Sequence, residues 1–249
     1  MKSRLLMVVA TAAAVALSTS MASAQASSNE WQFAVAPYLW GAGMNGSLTI
    51  GDQKVDIDVP FSTVWDNLDF ALMGHFDMRN DHWVVLSDLI FVDLEDKQDL
   101  NRGTLKAGID MTIFEAAGGY RVSPAFALIA GARWVDMSAS LRYSGELAQP
   151  DADAGESWID PLVGVNVFIP LSKNEKWWFG AYGDIGGFGV GSQLTWELYA
   201  NVGYRASHLV SIVLGYRALD IDYEGGSGMR SANLDLLISG PQLGVAFSF

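Results

Sequence analysis

The sequence predicts an all-β fold, a single antiparallel up-and-down transmembrane β-barrel of about ten strands, with eight and twelve strands as alternatives. Three features of the 249 residues support this prediction. Apolar and polar side chains alternate along long segments, half of the chain is hydrophobic, and short connections alternate with long ones. A soluble periplasmic β-sandwich is the alternative fold, because its strands also alternate apolar and polar residues.

Residues 194–206 show the alternation clearly. One face of this segment, if extended, carries Leu194, Trp196, Leu198, Ala200, Val202, Tyr204 and Ala206. Because successive side chains of a strand point to opposite faces, the pattern predicts a ribbon with one apolar and one polar side. The segment is longer than the about 5–6 residues of a typical soluble strand. A tilted barrel strand needs about 9–11 residues to cross the hydrocarbon.

The connections predict the order of the strands. Tight connections fall at 80–81, 123–124, 172–175 and 207–208, and long ones at 43–67, 95–103, 144–155, 188–192 and 224–230. Bacterial barrels have short periplasmic turns and longer extracellular loops. The predicted strands are 31–42, 68–79, 82–94, 104–121, 125–143, 156–171, 175–187, 193–206, 208–223 and 231–249. An even number of strands places both termini in the periplasm.

The first residues predict export. Lys2 and Arg4 form a positive segment, an apolar run follows over 5–17, and Ala22-Ser23-Ala24 forms a cleavage site. We therefore predict a signal peptide at 1–24 that is cleaved after Ala24, a short periplasmic segment at 25–30, and a barrel over 31–249. Beyond the signal peptide, no apolar run approaches the about 20 residues of a membrane helix.

Charge and cysteine content exclude several classes of partner. The formal net charge is −13, and it becomes −15 when the two positive charges of the signal peptide are removed. An acidic protein is a poor partner for nucleic acid. The chain has no cysteine, which excludes disulfides and a lipid anchor on a processed N-terminal cysteine. We predict no cofactor and no metal site, and we expect the acidic outer loops to form a solvated charged surface.

The first long connection, 43–67, predicts a hairpin outside the barrel. Residues 46–59 form two short alternating segments that turn at Gly51-Asp52. They are too short to cross a membrane, so we place the hairpin on the extracellular side; including it in the barrel would give twelve strands. Residues 62–67 predict a helical turn capped by Ser62 or Thr63.

Two 18-residue segments resemble each other, Gly119–Asp136 and Gly203–Asp220. Each has Gly-x-Arg at its start and again 12 positions later, with Asp three residues after the second arginine. Each predicts a hairpin around a periplasmic turn. The second arginines, Arg133 and Arg217, then lie within the membrane zone, where a lipid-facing arginine costs about 2–4 kcal/mol. We therefore expect both to face the lumen.

Further charged residues fall on the predicted lumen face. The predicted lumen network consists of Asp69, His75, Asp77, Asp88, Asp110, Arg133, Asp184, Glu197, Arg205 and Arg217, with Arg79 nearby. Buried charges must be paired. The network therefore predicts either an ionic plug or, as in channels, a charged constriction of a narrow pore. In a regular strand, Glu115 would point to the face opposite Asp110. We therefore expect a β-bulge near Glu115 that returns its side chain to the lumen face.

Aromatic residues near the predicted membrane boundaries favour an interfacial girdle. Its predicted members are Trp31, Tyr120, Tyr204, Phe247 and Phe249. The final residues, QLGVAFSF, resemble the C-terminal strand that the bacterial barrel-assembly machinery recognises. We therefore expect that machinery to be a partner through the strand that ends at Phe249.

Longer stretches resemble a family of proteobacterial outer-membrane β-barrel proteins of uncharacterised activity. They include PYLWGAGMNGSL, FSTVWDNLDFALMGHFDMRNDHW and GDIGGFGVGSQLTWELYANVGYRASHLVSIVLGYRALDIDYEGG. The resemblance covers most of 31–249. It implies a barrel in the bacterial outer membrane, with outer-membrane lipids and lipopolysaccharide as its surroundings. The family has no established activity, so the resemblance assigns no functional residue.

The function predicted from the sequence is non-enzymatic: structural support of the outer membrane, or a narrow passive pore for small solutes. The first alternative is an extracellular binding or adhesion module acting through 43–67 and 144–155. The second is an outer-membrane lipid-modifying enzyme, which would need a serine beside His75 or His208. The sequence supplies no such pair, so we predict no catalytic residue. The glycine-rich 186–191 favours an extracellular turn over a phosphate-binding loop.

Overall fold

The computed structural model describes residues 30–50, 53–100, 103–145, 152–174, 176–225 and 232–249. The predicted signal peptide and most of the segment after it lie outside these residues. Within them, no helix has both the length and the apolar character needed to cross a membrane. The described elements are β1 (Gln32–Trp40), β2 (Gly43–Ile50), β3 (Gln53–Val59), α1 (Phe61–Asp66), β4 (Leu68–Arg79), β5 (Trp83–Leu100), β6 (Gly103–Ser123), β7 (Phe126–Gly145), β8 (Ala152–Pro170), β9 (Trp177–Gly187), β10 (Leu194–Arg205), β11 (Val210–Gly225) and β12 (Ala232–Ser248).

Ten of these strands form a closed antiparallel barrel. Consecutive strands from β4 to β12 pair with each other, and β1 pairs with both β4 and β12. The backbone of Phe249 completes the closure through two hydrogen bonds with Phe33, at 2.8 and 3.2 Å. The ten-stranded transmembrane barrel predicted from the sequence is therefore confirmed.

The predicted alternation decides which side chains enter the lumen. On β11, Ile212, Leu214 and Tyr216 are exposed on the outer surface, whereas Ser211 and Arg217 are buried inside. An apolar exterior around a partly polar interior is the pattern that lipid outside a barrel requires.

The strands have unequal lengths. β5 to β8 contain 18 to 21 residues, whereas β9 and β10 contain 11 and 12. A membrane crossing needs about 9–11 residues, so β5 to β8 continue well beyond the hydrocarbon. The extra length lies at the end of the barrel opposite the short turns; we call these the loop end and the turn end. The wall is therefore tall on one side and low at β9 and β10.

The low side of the wall ends in the glycine-rich turn between β9 and β10. Gly187, Phe188 and Gly189 have φ values of 85°, 53° and 72°, in the left-handed region that glycine adopts readily. The ring of Phe188 is exposed beside this turn. The segment predicted to be a turn rather than a phosphate-binding loop is thus a tight turn in the structure.

The first long connection forms the predicted hairpin. β2 pairs with the loop-end half of β12, and β3 pairs with β2, so the hairpin extends the sheet without entering the barrel. The ladder between β1 and β4 stops at Pro37 and Gly74, since proline cannot donate a ladder hydrogen bond. The helix α1 connects β3 to β4. Pro60 precedes it with no side-chain cap, so the predicted cap by Ser62 or Thr63 is wrong.

The loop-end half of the lumen is filled with apolar side chains. The buried members of this cluster are Tyr38, Trp40, Ala42, Ile90, Val92, Met111, Ile113, Val135, Trp158, Leu219, Ile221, Leu236 and Ile238. Side chains in such a cluster exclude water and pack at the density of a protein core. Apolar side chains from several strands therefore meet in this part of the lumen.

The predicted girdle residues lie at the turn end. Trp31, Tyr120 and Phe249 are exposed there, and Tyr204 and Phe247 are partly exposed. Further aromatic rings join them: Trp83 meets Tyr120 edge-on at 5.4 Å between ring centroids, and Trp177 meets Tyr204 at 4.8 Å.

Candidate functional site

A cluster of buried charges crosses the lumen below the apolar cluster, and Arg133 lies at its centre. The strand β7 points this side chain inward, and it is completely buried. Arg133 Nη2 donates to Glu115 Oε2 at 2.6 Å, to Asp184 Oδ2 at 2.6 Å and to Glu197 Oε2 at 3.2 Å. The guanidinium therefore joins β7 to carboxylates on β6, β9 and β10.

Arg217 on β11 extends the cluster to the other side of the lumen. Its Nη1 donates to Asp88 Oδ1 and to the hydroxyl of Tyr38, both at 2.9 Å, and its Nη2 donates to Glu197 Oε2 at 2.9 Å. The guanidinium also lies 5.1 Å from the ring centroid of Trp40, within range of a cation–π interaction. Arg217 thus connects the charged layer to the apolar cluster above it.

We call the six charged residues of this layer the ionic belt: Asp88, Glu115, Arg133, Asp184, Glu197 and Arg217. Its four carboxylates face two guanidinium groups, so neutral donors supply further hydrogen bonds. Tyr38 donates to Asp88 at 2.7 Å, and Tyr182 donates to Glu115. Buried charges are tolerated only when they are paired and hydrogen-bonded in this way.

Three of the belt carboxylates could in principle hold a metal ion. Oxygen atoms of Glu115, Asp184 and Glu197 lie within 4.8 Å of one another, and all three residues are buried. Arg133 donates hydrogen bonds to each of them. The guanidinium therefore supplies the positive charge that this acidic group needs.

A further buried carboxylate, outside the ionic belt, holds the turn between β9 and β10. Asp160 on β8 is fully buried and accepts hydrogen bonds from the backbone N–H of Ser192 at 2.6 Å and from its hydroxyl at 2.8 Å. It also accepts one from Trp158 Nε1 at 3.0 Å. The turn is thus attached to the inner wall.

The structure brings most of the predicted lumen network together. The predicted residues that meet in the belt are Asp88, Arg133, Asp184, Glu197 and Arg217. His75 is joined to the belt, since its Nδ1 lies 3.2 Å from Asp88 Oδ2. Asp77 lies nearer the turn end, where it accepts a hydrogen bond from Arg79 Nε at 2.7 Å.

Two predicted members, Asp69 and Asp110, do not line the lumen cavity. Asp69 is exposed beside a register irregularity between Leu68 and Phe70. Asp110 is exposed on β6, where the strand continues beyond the hydrocarbon and an outward aspartate meets water. Arg205, at the turn end of β10, does face the lumen as predicted: it lines the lumen there and is exposed, away from the buried residues described above.

The predicted lumen network left out Glu115, because its inward direction was expected only with a β-bulge. β6 pairs with β7 without a register shift from Gly103 to Arg121, so the predicted bulge near Glu115 is wrong. Its parity within β6 could have indicated this, because Met111 and Ile113 share its face and are buried. Tyr38 and Tyr182 were also missed, since an isolated tyrosine in a strand gives no signal of a lumen hydrogen bond.

Comparison with known proteins supports the fold. No protein-family model matches the chain, and no curated protein matches its sequence. The outer-membrane protease OmpT from Escherichia coli aligns with a TM-score of 0.55 and 8% sequence identity, over 91% of this chain and 99% of that one. The attachment invasion locus protein Ail of Yersinia pestis aligns with a TM-score of 0.40 and 11% identity, over 88% and 98% of the two chains. At 8% identity, the likeness to OmpT shows a shared fold: this chain has the fold of a bacterial outer-membrane β-barrel.

Proposed function

We propose that the protein is a non-enzymatic β-barrel of the bacterial outer membrane whose lumen is closed, so that it serves as a structural element rather than as an open pore. The ionic belt carries this proposal. Its arginines are almost completely buried, and each donates to at least two carboxylates.

The belt and the apolar cluster obstruct the lumen by different means. A solute crossing the belt would have to separate buried ion pairs, and removing one partner of such a pair costs about 3–5 kcal/mol. The same solute would then have to displace packed side chains such as Ile90, Leu219 and Ile238. A narrow passive pore would require both layers to move together, which favours the plug over the constriction.

The proposed location rests on the outer surface. An apolar exterior, aromatic side chains at the turn end and longer extensions at the opposite end are typical of outer-membrane barrels. In this orientation the turn end is periplasmic, and outer-membrane lipids with lipopolysaccharide surround the wall. We further propose that the barrel-assembly machinery recognises β12, whose last residues close the barrel against β1.

Solute uptake into proteoliposomes tests the proposed closure. Liposomes containing the refolded protein should swell no faster in isotonic solutions of glycine or arabinose than liposomes without protein. Heat-modifiable mobility on a gel should first show that the inserted barrel is folded. Faster swelling in proportion to the amount of folded protein would overturn the closed-lumen proposal and favour the narrow pore.

A second candidate function, extracellular binding, is favoured by the tall side of the wall. β5 to β8 continue beyond the membrane, and the β2–β3 hairpin lies beside the loop-end half of β12. This surface would recognise a ligand or a cell through 43–67 and 144–155. Replacing 44–59 or, in a second variant, 144–155 by a short Gly-Ser linker should abolish such binding in at least one of the two variants while heat-modifiable folding is kept. Binding that survives in both variants would exclude this candidate.

A further inference from the structure

The lumen holds a cavity of about 840 Å³ on the turn-end side of the ionic belt. Its lining extends from Arg217 in the belt to Gln32, His208 and Ser248 beside the turn end. Pockets for small molecules typically have volumes of about 300–1,000 Å³. The cavity exists because three adjacent strands, β11, β12 and β1, carry small inward residues: Ala34, Ala36, Ser211, Gly244, Ala246 and Ser248.

The remaining wall of the cavity combines aromatic rings with amides. Phe168 on β8 and Trp178 on β9 lie side by side, with 6.0 Å between ring centroids, and Tyr199 on β10 also lines the cavity. Asn166 and Asn201 lie in the same wall. Apolar rings beside groups that both donate and accept hydrogen bonds suit a ligand with C–H faces and hydroxyl edges.

Two residues that line this cavity each carry a buried polar atom with no hydrogen-bond partner among the described residues. These atoms are Arg217 Nε, a donor, and Gln242 Oε1, an acceptor. Both residues line the cavity and are more than nine-tenths buried. Gln242 pairs with Gly215 and Arg217 with Gly240, so the two side chains are diagonal neighbours on the inner face of β11 and β12.

A hydroxyl group has both of the functions that these two atoms require. It can accept a hydrogen bond from Arg217 Nε–H and donate one to Gln242 Oε1. A buried polar group left without a partner costs about 1–3 kcal/mol, so a ligand that fills this part of the cavity must supply such a hydroxyl.

The charges around the cavity favour a neutral ligand. Arg79 is paired with Asp77, and His75 lies against Asp88. Arg121 donates to the backbone carbonyls of Asn80 and Pro124, at 2.5 and 2.7 Å. Arg205 also has an interaction partner. An anionic ligand would have to compete with these contacts, whereas a neutral one leaves them intact.

We propose that this cavity is a binding site for a neutral polyhydroxylated molecule, a sugar of mono- to disaccharide size, which enters from the turn end and places a hydroxyl between Arg217 and Gln242. The site needs no passage through the belt, so it is independent of whether the lumen is closed. In the proposed orientation of the barrel, the sugar enters from the periplasm.

Isothermal titration calorimetry on the detergent-refolded protein tests the site. The probes are glucose, N-acetylglucosamine and maltose, with glucuronate as a charged counterpart. Saturable binding of at least one neutral sugar is expected, with weaker binding of glucuronate than of glucose. The protein used must show the gel mobility of the folded barrel. If no neutral sugar then gives saturable heat up to millimolar concentrations, the cavity holds only water and the proposal is overturned.

Variants locate any binding that is found. Gln242→Leu removes the acceptor and should raise the Kd about tenfold, which corresponds to a loss of about 1.4 kcal/mol of binding free energy. Ala246→Phe should fill the cavity and abolish binding. The matched control is Leu243→Phe on the same strand, because Leu243 is exposed on the outer surface and the change should leave affinity unaltered. Equal affinities in the wild type and Ala246→Phe would place the sugar elsewhere and contradict the proposal.

Discussion

Arg133 and Arg217 occupy equivalent positions in two similar hairpins, and they meet in the lumen at a single carboxylate oxygen. Glu197 Oε2 lies 3.2 Å from Arg133 Nη2 and 2.9 Å from Arg217 Nη2. The repeated segment therefore does more than form two turns, because it brings two arginines to one height on different sides of the barrel. Their shared partner joins β7, β10 and β11 across the lumen.

Replacing Arg133 by alanine should lower the free energy of unfolding by about 3–5 kcal/mol, since Glu115, Asp184 and Glu197 would lose a common buried donor. Urea unfolding in lipid vesicles, followed by tryptophan fluorescence, measures this change. The control is Arg142→Ala, which removes an exposed ion pair with Asp153 and should cost at most about 1 kcal/mol. Equal losses in the two variants would show that the belt does not stabilise the barrel.

The shared oxygen of Glu197 predicts that the two arginines are energetically coupled. A double-mutant cycle with Arg133→Met and Arg217→Met measures this coupling. The change in unfolding free energy of the double variant should differ from the sum of the two single changes by more than about 0.5 kcal/mol, because both arginines bind one carboxylate. The same cycle with Arg133→Met and Arg142→Met should be additive. Additivity in both cycles would contradict the bridging role of Glu197.

Asp160 is expected to hold the turn between β9 and β10 in place. Asp160→Ala removes the acceptor of both hydrogen bonds from Ser192, so the exposed Phe188 should become a faster site of chymotrypsin cleavage. Mass spectrometry of the fragments measures the rate of that cut. Asp153→Ala, at an exposed position of the same strand, is the control and should cleave as slowly as the wild type. An unchanged rate in Asp160→Ala would show that the turn is held by other contacts.

The sequence predicted the wall of this barrel better than its interior. Strands β9 and β10 were placed within two residues of their bounds, because lipid outside and a mixed lumen inside impose a period of two on the chain. The inward direction of Arg133 followed from the cost of placing a charge in lipid. That rule does not apply where a strand continues into water, and this is why Asp110 was placed in the lumen.

Contacts across the lumen could not be read from the sequence. The pairing of Tyr182 with Glu115, or of Tyr38 with Asp88, depends on the relative height of strands that are far apart in the chain. That height is set by the stagger of the closed barrel, which a single strand does not reveal. The displacement of Asp69 depends in the same way on a local irregularity of pairing with β5.

The proposed orientation predicts which positions are accessible on intact cells. The chain has no cysteine, so a single introduced thiol is a specific label. Val190→Cys, at an exposed position of the turn between β9 and β10, should react with a membrane-impermeant maleimide on intact cells. Ser172→Cys, in the short connection after β8, should react only after the outer membrane is permeabilised. The reverse labelling pattern would show that the barrel has the opposite orientation, with the cavity opening to the outside of the cell.

Conductance of the refolded protein in a planar lipid bilayer tests the closed lumen most directly. With the ionic belt and the apolar cluster in place, folded wild-type protein should give no discrete current steps in 1 M KCl. Discrete steps from the wild type, with an ion preference that changes when Arg133 and Arg217 are replaced by serine, would contradict the account. They would show that ions pass the belt and that its charges line a pore.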